Sequence, residues 1–217
     1  MLPDAYVWPN DAEFPSVVCE AGWGEELEDL KKDAQLWLLH TGGQTRVVIV
    51  VSFTEKMIKH SRKAPEQETE DEEEVQPGES ASEEETVIDG IDEATDKNNL
   101  ADRLLDLNRR GNLREPLVSD LGATLHVYRA SEDGQDIVQT YGATLLPQLE
   151  VEGGGPEEFG VTMQDILGDS IPEDKDPGHH IIFSLEELED FITSSILDTE
   201  RIRAARRAKK LMQMAGV

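Results

Sequence analysis

The stretch FPSVVCEAGWGEELEDLKKDAQLWLLH, residues 14–40, decides the fold class, because its hydrophobic pattern changes partway from that of a strand to that of a helix. The first part is an extended apolar run that reaches one carboxylate at Glu20 and is interrupted by Gly22 and Gly24. The second part is an amphipathic pattern that ends at His40. Burying a lone charge costs free energy unless the charge is paired, so Glu20 needs a partner.

The N-terminal third predicts a strand, a helix and a central strand. Residues 15–19 are short, β-branched and led by a proline, which suits the start of a strand. From Glu25 onward, apolar residues follow the spacing of three, four and seven that lines one helix face. They are Leu27, Leu30, Ala34, Trp37 and Leu38. RVVIVVSF, residues 46–53, is an uninterrupted β-branched run, typical of a strand covered on both faces.

The rest of the chain adds a short helix, a hairpin and a C-terminal helix. Residues 98–107 favour a helix, and residues 123–128 and 136–145 favour two strands joined by a turn with the Asp133-Gly134 pair common in hairpins. Ser184 and Glu187 match the capping box that starts a helix. We therefore predict an α/β protein.

Length and cysteine content indicate where such a chain works. A length of 217 residues suits one domain with an insertion, or two small domains, and one architecture is the default expectation. The single cysteine, Cys19, cannot form an internal disulfide, and no basic-then-apolar leader opens the sequence. No apolar run approaches the ~20 residues that cross a bilayer. We expect an intracellular protein, cytoplasmic or nuclear, with no membrane contact; the oligomeric state stays open.

The negative charge is concentrated in one segment. The chain carries 47 acids against 20 bases, a net of −27, and residues 65–97 hold fifteen acids against one lysine, a net of −14. With few aliphatic side chains, this segment cannot bury enough surface to offset its ordering entropy, and we predict a disordered acidic insert. The insert is either a docking segment for a basic protein partner, a mimic of nucleic acid charge, or a solvated loop. Tight unassisted nucleic acid binding is disfavoured by the acidic remainder.

The predicted organisation has four parts. Residues 1–64 and 98–198 form the two halves of one α/β core, residues 65–97 form the insert, and residues 199–217 form a basic helical tail. Six bases crowd residues 201–210 of that tail. They suit contact with an anionic surface, a nuclear import receptor or the protein's own acidic insert. Alternatively, they belong to a solvated terminus whose positive charge favours a helix C-terminal end.

One candidate partner for Glu20 is Asp4, sixteen residues upstream. Two carboxylates on neighbouring strands can converge on one Mg²⁺, which prefers a few acidic oxygens plus waters. Such a metal lowers the pKa of bound water and stabilises charge on a transferring phosphate. The alternatives are that Asp4 caps a turn, and that Glu20 accepts backbone N–H bonds at the start of the following helix.

These residues carry a family resemblance. The segments around Asp4 and Glu20, the helix with its late aromatic Trp37 and the strand after it resemble the PD-(D/E)xK nuclease superfamily, and within it the Uma2-like restriction endonuclease group with its uncharacterised fungal members. The matching stretches are Pro3-Asp4, residues 14–22, Leu30, Asp33, residues 37–38 and 47–51, and, after the insert, residues 124–129, Gly134, the strand that ends at Leu145, and residues 161–167. The resemblance implies a restriction-endonuclease-like mixed sheet flanked by helices.

The resemblance also implies a metal-dependent phosphodiesterase site. In it Asp4 and Glu20 hold Mg²⁺, and a lysine orients or activates the attacking water. Here the usual lysine position is Gly22, and the migrated lysine position on the next helix is Asp33. Lys32 remains as the candidate, provided that the helix is rotated by about 100°, one residue's worth.

Because of these departures, we expect a degenerate member of the fold, noncatalytic or weakly active, that works as an interaction protein. The alternative is a Mg-dependent nuclease that hydrolyses phosphodiester bonds with Asp4 and Glu20.

Overall fold

The computed structural model describes the chain except residues 1, 11, 57–86, 88, 89, 93, 94 and 217. It divides into two compact units, each built from two stretches of chain. The first unit comprises Met1–Glu55 and Leu121–Thr193, and the second comprises Lys56–Asp120 and Ser194–Val217. We call them the sheet unit and the helical unit. The prediction had grouped residues 98–198 with the N-terminal core, whereas residues 98–120 fall in the helical unit.

The sheet unit contains a mixed six-stranded sheet in the order β1-β2-β3-β4-β5-β6. Neighbours β1 and β2 are antiparallel, β2 and β3 are parallel, and β4, β5 and β6 are antiparallel in turn. The strands are β1 (Ala5–Val7), β2 (Val17–Trp23), β3 (Val47–Lys56), β4 (Asp120–Ala130), β5 (Ile137–Leu146) and β6 (Glu150–Val151). A separate antiparallel pair consists of β7 (Glu158–Thr162) and β8 (His180–Ser184). The predicted α/β class and the predicted hairpin are confirmed.

Helix α1 (Leu27–His40) connects the parallel strands β2 and β3. Its predicted apolar face is confirmed, because Leu30, Ala34, Trp37 and Leu38 are buried and Leu27 is partly buried against them. They share a core cluster with residues of the sheet, namely Val18, Val48, Val50, Tyr128 and Ile137. The β-branched strand residues and the 3.6-residue period of α1 thus build one core between helix and sheet.

Strand β2 extends further than predicted, because Gly22 does not break it. Gly22 is a buried strand residue that pairs with Ser52. A Cβ atom at Gly22 would lie 2.8 Å from Leu30 Cδ1, so the glycine allows α1 to approach the strand closely. The strand ends at Trp23, and Gly24 follows it with a positive φ of 71° that glycine adopts without strain.

Two further helices begin in the sheet unit. Helix α3 (Met163–Leu167) starts with a capping box formed by Thr162 and Asp165. Helix α4 (Leu185–Ala215) begins in the sheet unit, and its residues from Ser194 onward belong to the helical unit. Glu187 N donates to Ser184 Oγ at 3.3 Å, which is one half of the predicted capping box. The helix continues through the predicted boundary at residue 198 without interruption.

The helical unit is built around α2 (Lys97–Arg109), which confirms the helix predicted over residues 98–107. Asp96 caps α2, since its Oδ2 accepts from the backbone N–H groups of Asn98 and Asn99. The unit has its own core cluster, which consists of Val87, Leu100, Ala101, Leu104, Leu107, Leu113, Leu117, Ala204 and Ala208. Residues 199–217, predicted as a tail, therefore supply part of a core.

The acidic insert predicted over residues 65–97 lies largely outside the described residues. At its C-terminal end, however, Val87 is 7% exposed in the core of the helical unit, and Asp96 caps α2. The disorder predicted for the remainder stays a prediction. Within the described part of the chain, no helix is both long enough and apolar enough to span a membrane.

Candidate functional site: a carboxylate pair at the end of strands β1 and β2

The antiparallel pairing of β1 with β2 brings Asp4 and Glu20 together. Ala5 lies opposite Cys19 in this register, so Asp4, one residue before, and Glu20, one residue after, come to the same end of the strand pair. Ala21 N donates a 2.8 Å hydrogen bond to Asp4 Oδ2, which fixes the Asp4 carboxylate beside β2. The register therefore places Asp4 and Glu20 next to each other on neighbouring strands, with Asp4 exposed and Glu20 buried.

Glu20 is a buried carboxylate whose partner is an aromatic N–H group. The residue is 8% exposed, and Trp37 Nε1 on α1 donates a 2.7 Å hydrogen bond to its Oε1. Helix α1 begins only after Glu26, which is its N-cap. One prediction from sequence was that Glu20 accepts hydrogen bonds from backbone N–H groups at the start of the following helix. The Trp37 indole takes the place of those donors.

The surroundings of Glu20 raise the pKa of its carboxyl. Burial raises the pKa of the Glu20 carboxyl, and the negative charges of Asp4 and Asp33 raise it further, while the Trp37 hydrogen bond and a backbone hydrogen bond at Asp4 lower it. The net direction is upward from the ordinary value of 4.5. Among the described residues, the charges that act on this carboxyl are those of Asp4 and Asp33, and both are negative.

Lys32 lies outside the carboxylate pair. Its side chain is 70% exposed, and its Nζ forms a 2.6 Å ion pair with Asp29 Oδ1, one turn back along α1. That hydrogen bond and the Asp29 charge raise the pKa of Lys32, with smaller contributions from Glu28 and Glu26. The helix rotation that would aim Lys32 at the site is not observed, because Trp37 faces Glu20 instead.

The other two positions at which the resemblance expects a lysine offer no substitute. Gly22 is buried against α1, where an added Cβ would already lie 2.8 Å and 3.0 Å from the two Leu30 methyl carbons, so a lysine has no room there. Asp33 adds a negative charge near Glu20 instead of a positive one. Neither position therefore supplies a positive charge to the carboxylate pair.

The donor set fits a divalent cation only as a two-carboxylate site. One oxygen of each carboxylate already accepts a hydrogen bond, Asp4 Oδ2 from Ala21 and Glu20 Oε1 from Trp37. Mg²⁺ is commonly held by one or two carboxylates plus waters. Asp4 and Glu20 would supply the two carboxylates. Among the residues that the structure describes, no group of three or more His, Cys, Asp or Glu side chains could hold a metal ion.

Cys19 neighbours the pair and is not a nucleophile there. Burial raises the pKa of its thiol to about 11, with further contributions from the charges of Asp4 and Glu20. The nucleophilic form of cysteine is the thiolate, so a thiol with this pKa stays unreactive at neutral pH.

A second buried acid, which the sequence analysis had not singled out, is Asp165. Arg129 on β4 binds it through both guanidinium nitrogens, Nη1 to Oδ1 and Nη2 to Oδ2, the latter at 2.9 Å. Burial raises the pKa of Asp165, but the Arg129 and Thr162 hydrogen bonds outweigh burial and hold it below 3.8. The Thr-x-x-Asp spacing of a capping box is the signal that could have identified it.

Comparisons with known proteins yield no relative of this chain: no family model, no curated protein and no solved structure matches it.

Proposed function

We propose that this chain is a noncatalytic or weakly active relative of the restriction-endonuclease-like fold that works as an intracellular interaction protein. The observation that carries the proposal is the hydrogen bond from Trp37 Nε1 to Glu20 Oε1, which engages one oxygen of the carboxylate that the fold would use for chemistry. The fold assignment is part of the proposal. The order of elements along the chain supports it. Strand β1 follows Asp4, the antiparallel strand β2 contains Glu20, helix α1 carries a late aromatic residue, and the central strand β3 is parallel to β2.

Hydrolysis of a phosphodiester needs more than two acids. A metal-dependent site must hold the ion, position a water molecule and neutralise charge on the phosphate. Lys32, the candidate for positioning the water, is paired with Asp29 at 2.6 Å. The negative charges of Asp4, Glu20 and Asp33 oppose the approach of a phosphate unless a cation offsets them. These features support loss of catalysis.

The alternative is a Mg-dependent nuclease that uses Asp4 and Glu20. It is favoured by the register that brings both acids together and by the upward effect of Asp4 on the pKa of Glu20. A divalent cation held by the two carboxylates would relieve that repulsion, and when bound it would supply Lewis-acid stabilisation of phosphate charge. Asp4 and Glu20 would bind and orient the cation. No described residue beside them takes the role of positioning the attacking water that is expected of Lys32.

We propose that this protein binds its partner through its negative charge. Residues 66–85 contain eleven acids and no base. A segment that contains many acids and no base attracts a basic protein surface and repels nucleic acid. We therefore propose a basic protein as the partner, with DNA and RNA as less suited ligands.

Divalent-ion titration and a nuclease assay test the proposal together. Melting temperatures are measured for the full chain and for Glu20→Gln across a series of Mg²⁺ and Mn²⁺ concentrations, because an ion that binds only the folded state raises the melting temperature. Single-stranded and duplex DNA and RNA are then incubated with both proteins and with Asp4→Asn. We expect no turnover by any of them.

Two results separate the alternatives. Turnover by the wild-type chain that Asp4→Asn abolishes, and that a Lys32→Met variant purified in the same way retains, would establish the nuclease and overturn the noncatalytic proposal. A metal-dependent rise in melting temperature that Glu20→Gln removes, without turnover, would show a cation site kept in a noncatalytic protein.

A further inference from the structure

Strand β8 is the outer strand of the separate two-stranded sheet, and it carries exposed apolar residues. Ile181 is 39% exposed, Ile182 is 52% exposed and Phe183 is 41% exposed. Among the residues that the structure describes, no third strand joins β7 and β8. Native proteins commonly protect such an edge with a proline, a bulge or a charged residue. Residues 180–184 contain no proline, acid, lysine or arginine, and they pair one to one with β7.

Two backbone hydrogen bonds show which residues of β8 are bonded to β7. Met163 N donates to His179 O at 2.8 Å beyond one end of the strand pair, and Leu185 N donates to Glu157 O at 3.1 Å beyond the other. Hydrogen-bonded and non-hydrogen-bonded pairs alternate along an antiparallel ladder. Every second residue between positions 179 and 185 therefore directs its N–H and C=O groups towards β7.

The residues in between direct their backbone groups away from β7. Ile181 and Phe183 belong to the bonded set, so the N–H and C=O groups of His180 and Ile182 lie on the outer edge of β8. No described residue forms a hydrogen bond with these outer groups. An extended peptide can pair with such groups and add a strand to the sheet, which is a common mode of peptide recognition.

The side chains of β8 give an added strand a surface on which to pack. Side chains alternate between the two faces of a strand, so Ile181 and Phe183 share one face and Ile182 lies on the other. Phe183 stacks on the buried ring of Phe159 in β7, with the ring centroids 5.1 Å apart. A strand beside β8 would cover the exposed parts of these side chains, because cross-strand neighbours contact each other.

The charges at both ends of β8 indicate what kind of strand fits. Residues 173–176 contain three acids and one lysine, a net of −2, and residues 185–190 contain four acids and no base, a net of −4. In a two-fold antiparallel pairing with a second copy, the first range would approach the second range of the other copy, so that acids would meet acids. A strand with bases on both sides of an apolar core would meet opposite charges at both ends.

We propose that the outer edge of β8 binds an extended apolar segment of a basic partner protein, with lysines or arginines on both sides of that segment. The segment forms a third strand that pairs with the backbone of His180 and Ile182. This goes beyond the proposed function, because it adds a binding surface apart from residues 66–85. It holds whether or not Asp4 and Glu20 catalyse hydrolysis.

Binding of synthetic peptides to the full chain tests the proposal. The first probe has the core Val-Thr-Val-Thr-Val with two lysines at each end, and the second probe has proline at the centre of the core and the same charge. Proline has no N–H group and interrupts strand pairing, so the two probes separate strand addition from general attraction to an acidic chain. We expect the first probe to bind at least about tenfold more tightly in fluorescence anisotropy. Equal affinities would overturn the proposal.

A third probe tests the charge of the partner. It keeps the core of the first probe and replaces the four lysines with glutamates. The acids at both ends of β8 should weaken its binding at least about tenfold relative to the first probe. Binding as tight as that of the first probe would contradict a basic partner.

Variants of Ile182 locate the binding on β8. Ile182→Pro removes an N–H group of the outer edge and leaves the ladder with β7, whereas Ile182→Thr keeps the strand and removes an apolar contact. Both should lower the preference for the first probe over the second several-fold. Val138→Thr changes an exposed residue of β5 and should leave the preference unchanged. A preference that survives both Ile182 variants would place the peptide elsewhere and refute the proposal.

Hydrogen exchange and sedimentation identify the edge and its occupant. With the first probe, the N–H groups of His180 and Ile182 should exchange several-fold more slowly, and those of Ile181 and Phe183, already bonded to β7, should change little. Unchanged exchange at His180 and Ile182 would rule out strand addition at this edge. Sedimentation equilibrium of the chain alone should show no dimer formed through β8. A dimer that Ile182→Pro dissociates would assign the edge to a second copy and overturn the proposal.

Discussion

Trp37 Nε1 on α1 and Glu20 Oε1 on β2 are joined by a 2.7 Å hydrogen bond between buried side chains, and this bond fixes how α1 is turned about its own axis. Lys32 precedes Trp37 by five residues, which at about 100° per residue places it about 140° around the helix. With Trp37 directed at Glu20, Lys32 must point away from it. The exposed ion pair of Lys32 with Asp29 agrees with this geometry.

Trp37→Phe should destabilise the sheet unit. The phenyl ring keeps most of the packing but removes the donor, which leaves a buried carboxylate without its indole partner at a cost of about 1–3 kcal/mol. Denaturant unfolding measures the loss. The same substitution made in a Glu20→Gln chain should cost less, because a neutral acceptor binds the indole more weakly; an equal cost in both backgrounds would place the effect in packing alone.

Glu20 should make stability fall as pH rises. Its folded pKa lies above the ordinary 4.5, so between these two values the folded state binds more protons than the unfolded state, and the free energy of unfolding decreases as pH increases through that window. Glu20→Gln removes this dependence. The free energy of unfolding of the variant minus that of the wild type should therefore rise as the pH increases above the ordinary value of 4.5. A difference that stays flat would contradict the raised pKa.

Asp165 should have the opposite dependence. Its folded pKa is held below 3.8, so its contribution is present above the ordinary value and is lost as pH falls through the folded pKa. Asp165→Asn should cost about 2–3 kcal/mol at neutral pH, because the Arg129 guanidinium loses its charged carboxylate partner. The gap should narrow on acidification. Asp169→Asn, an exposed acid four residues on, is the matched control and should change little.

Gly22→Ala should destabilise the contact between β2 and α1. The new methyl group would lie 2.8 Å from Leu30 Cδ1, and overpacking of this kind costs about 1–3 kcal/mol. Leu30→Val, which withdraws methyl groups from that space, should recover part of the loss in the double variant. Denaturation of the four proteins as a double-mutant cycle measures the coupling; strict additivity would mean that the two residues do not press on each other.

The elements with strong periodic patterns were predictable from sequence. The apolar face of α1 is set by its three-and-four spacing, and β3 is set by its β-branched run. The predicted end of β2 is wrong because a glycine can either interrupt a strand or allow another element to pack closely against it. The sequence pattern predicts a break at Gly22, whereas the structure shows that Gly22 provides space for Leu30. Periodicity along one segment contains no information about such a close approach between two segments.

The same limit applies to the site and to the division into units. The pairing of Asp4 with Glu20 could be inferred, because two acids near neighbouring strand ends suggest convergence. The Trp37 donor could not, since a tryptophan on an apolar helix face is expected in the core whether or not its N–H has a partner. Ala204 and Ala208 lie among arginines, and two small residues are a weak hydrophobic signal for a buried helix face.

The core of the helical unit joins residues that are made at different times during translation. Leu100 and Leu104 on α2 pack in one cluster with Ala204 and Ala208, and the whole of residues 121–193, which belongs to the sheet unit, is synthesised between them. When α2 leaves the ribosome, the part of this core that Ala204 and Ala208 contribute does not yet exist. The cluster around α2 is therefore completed only when residues 204–208 emerge.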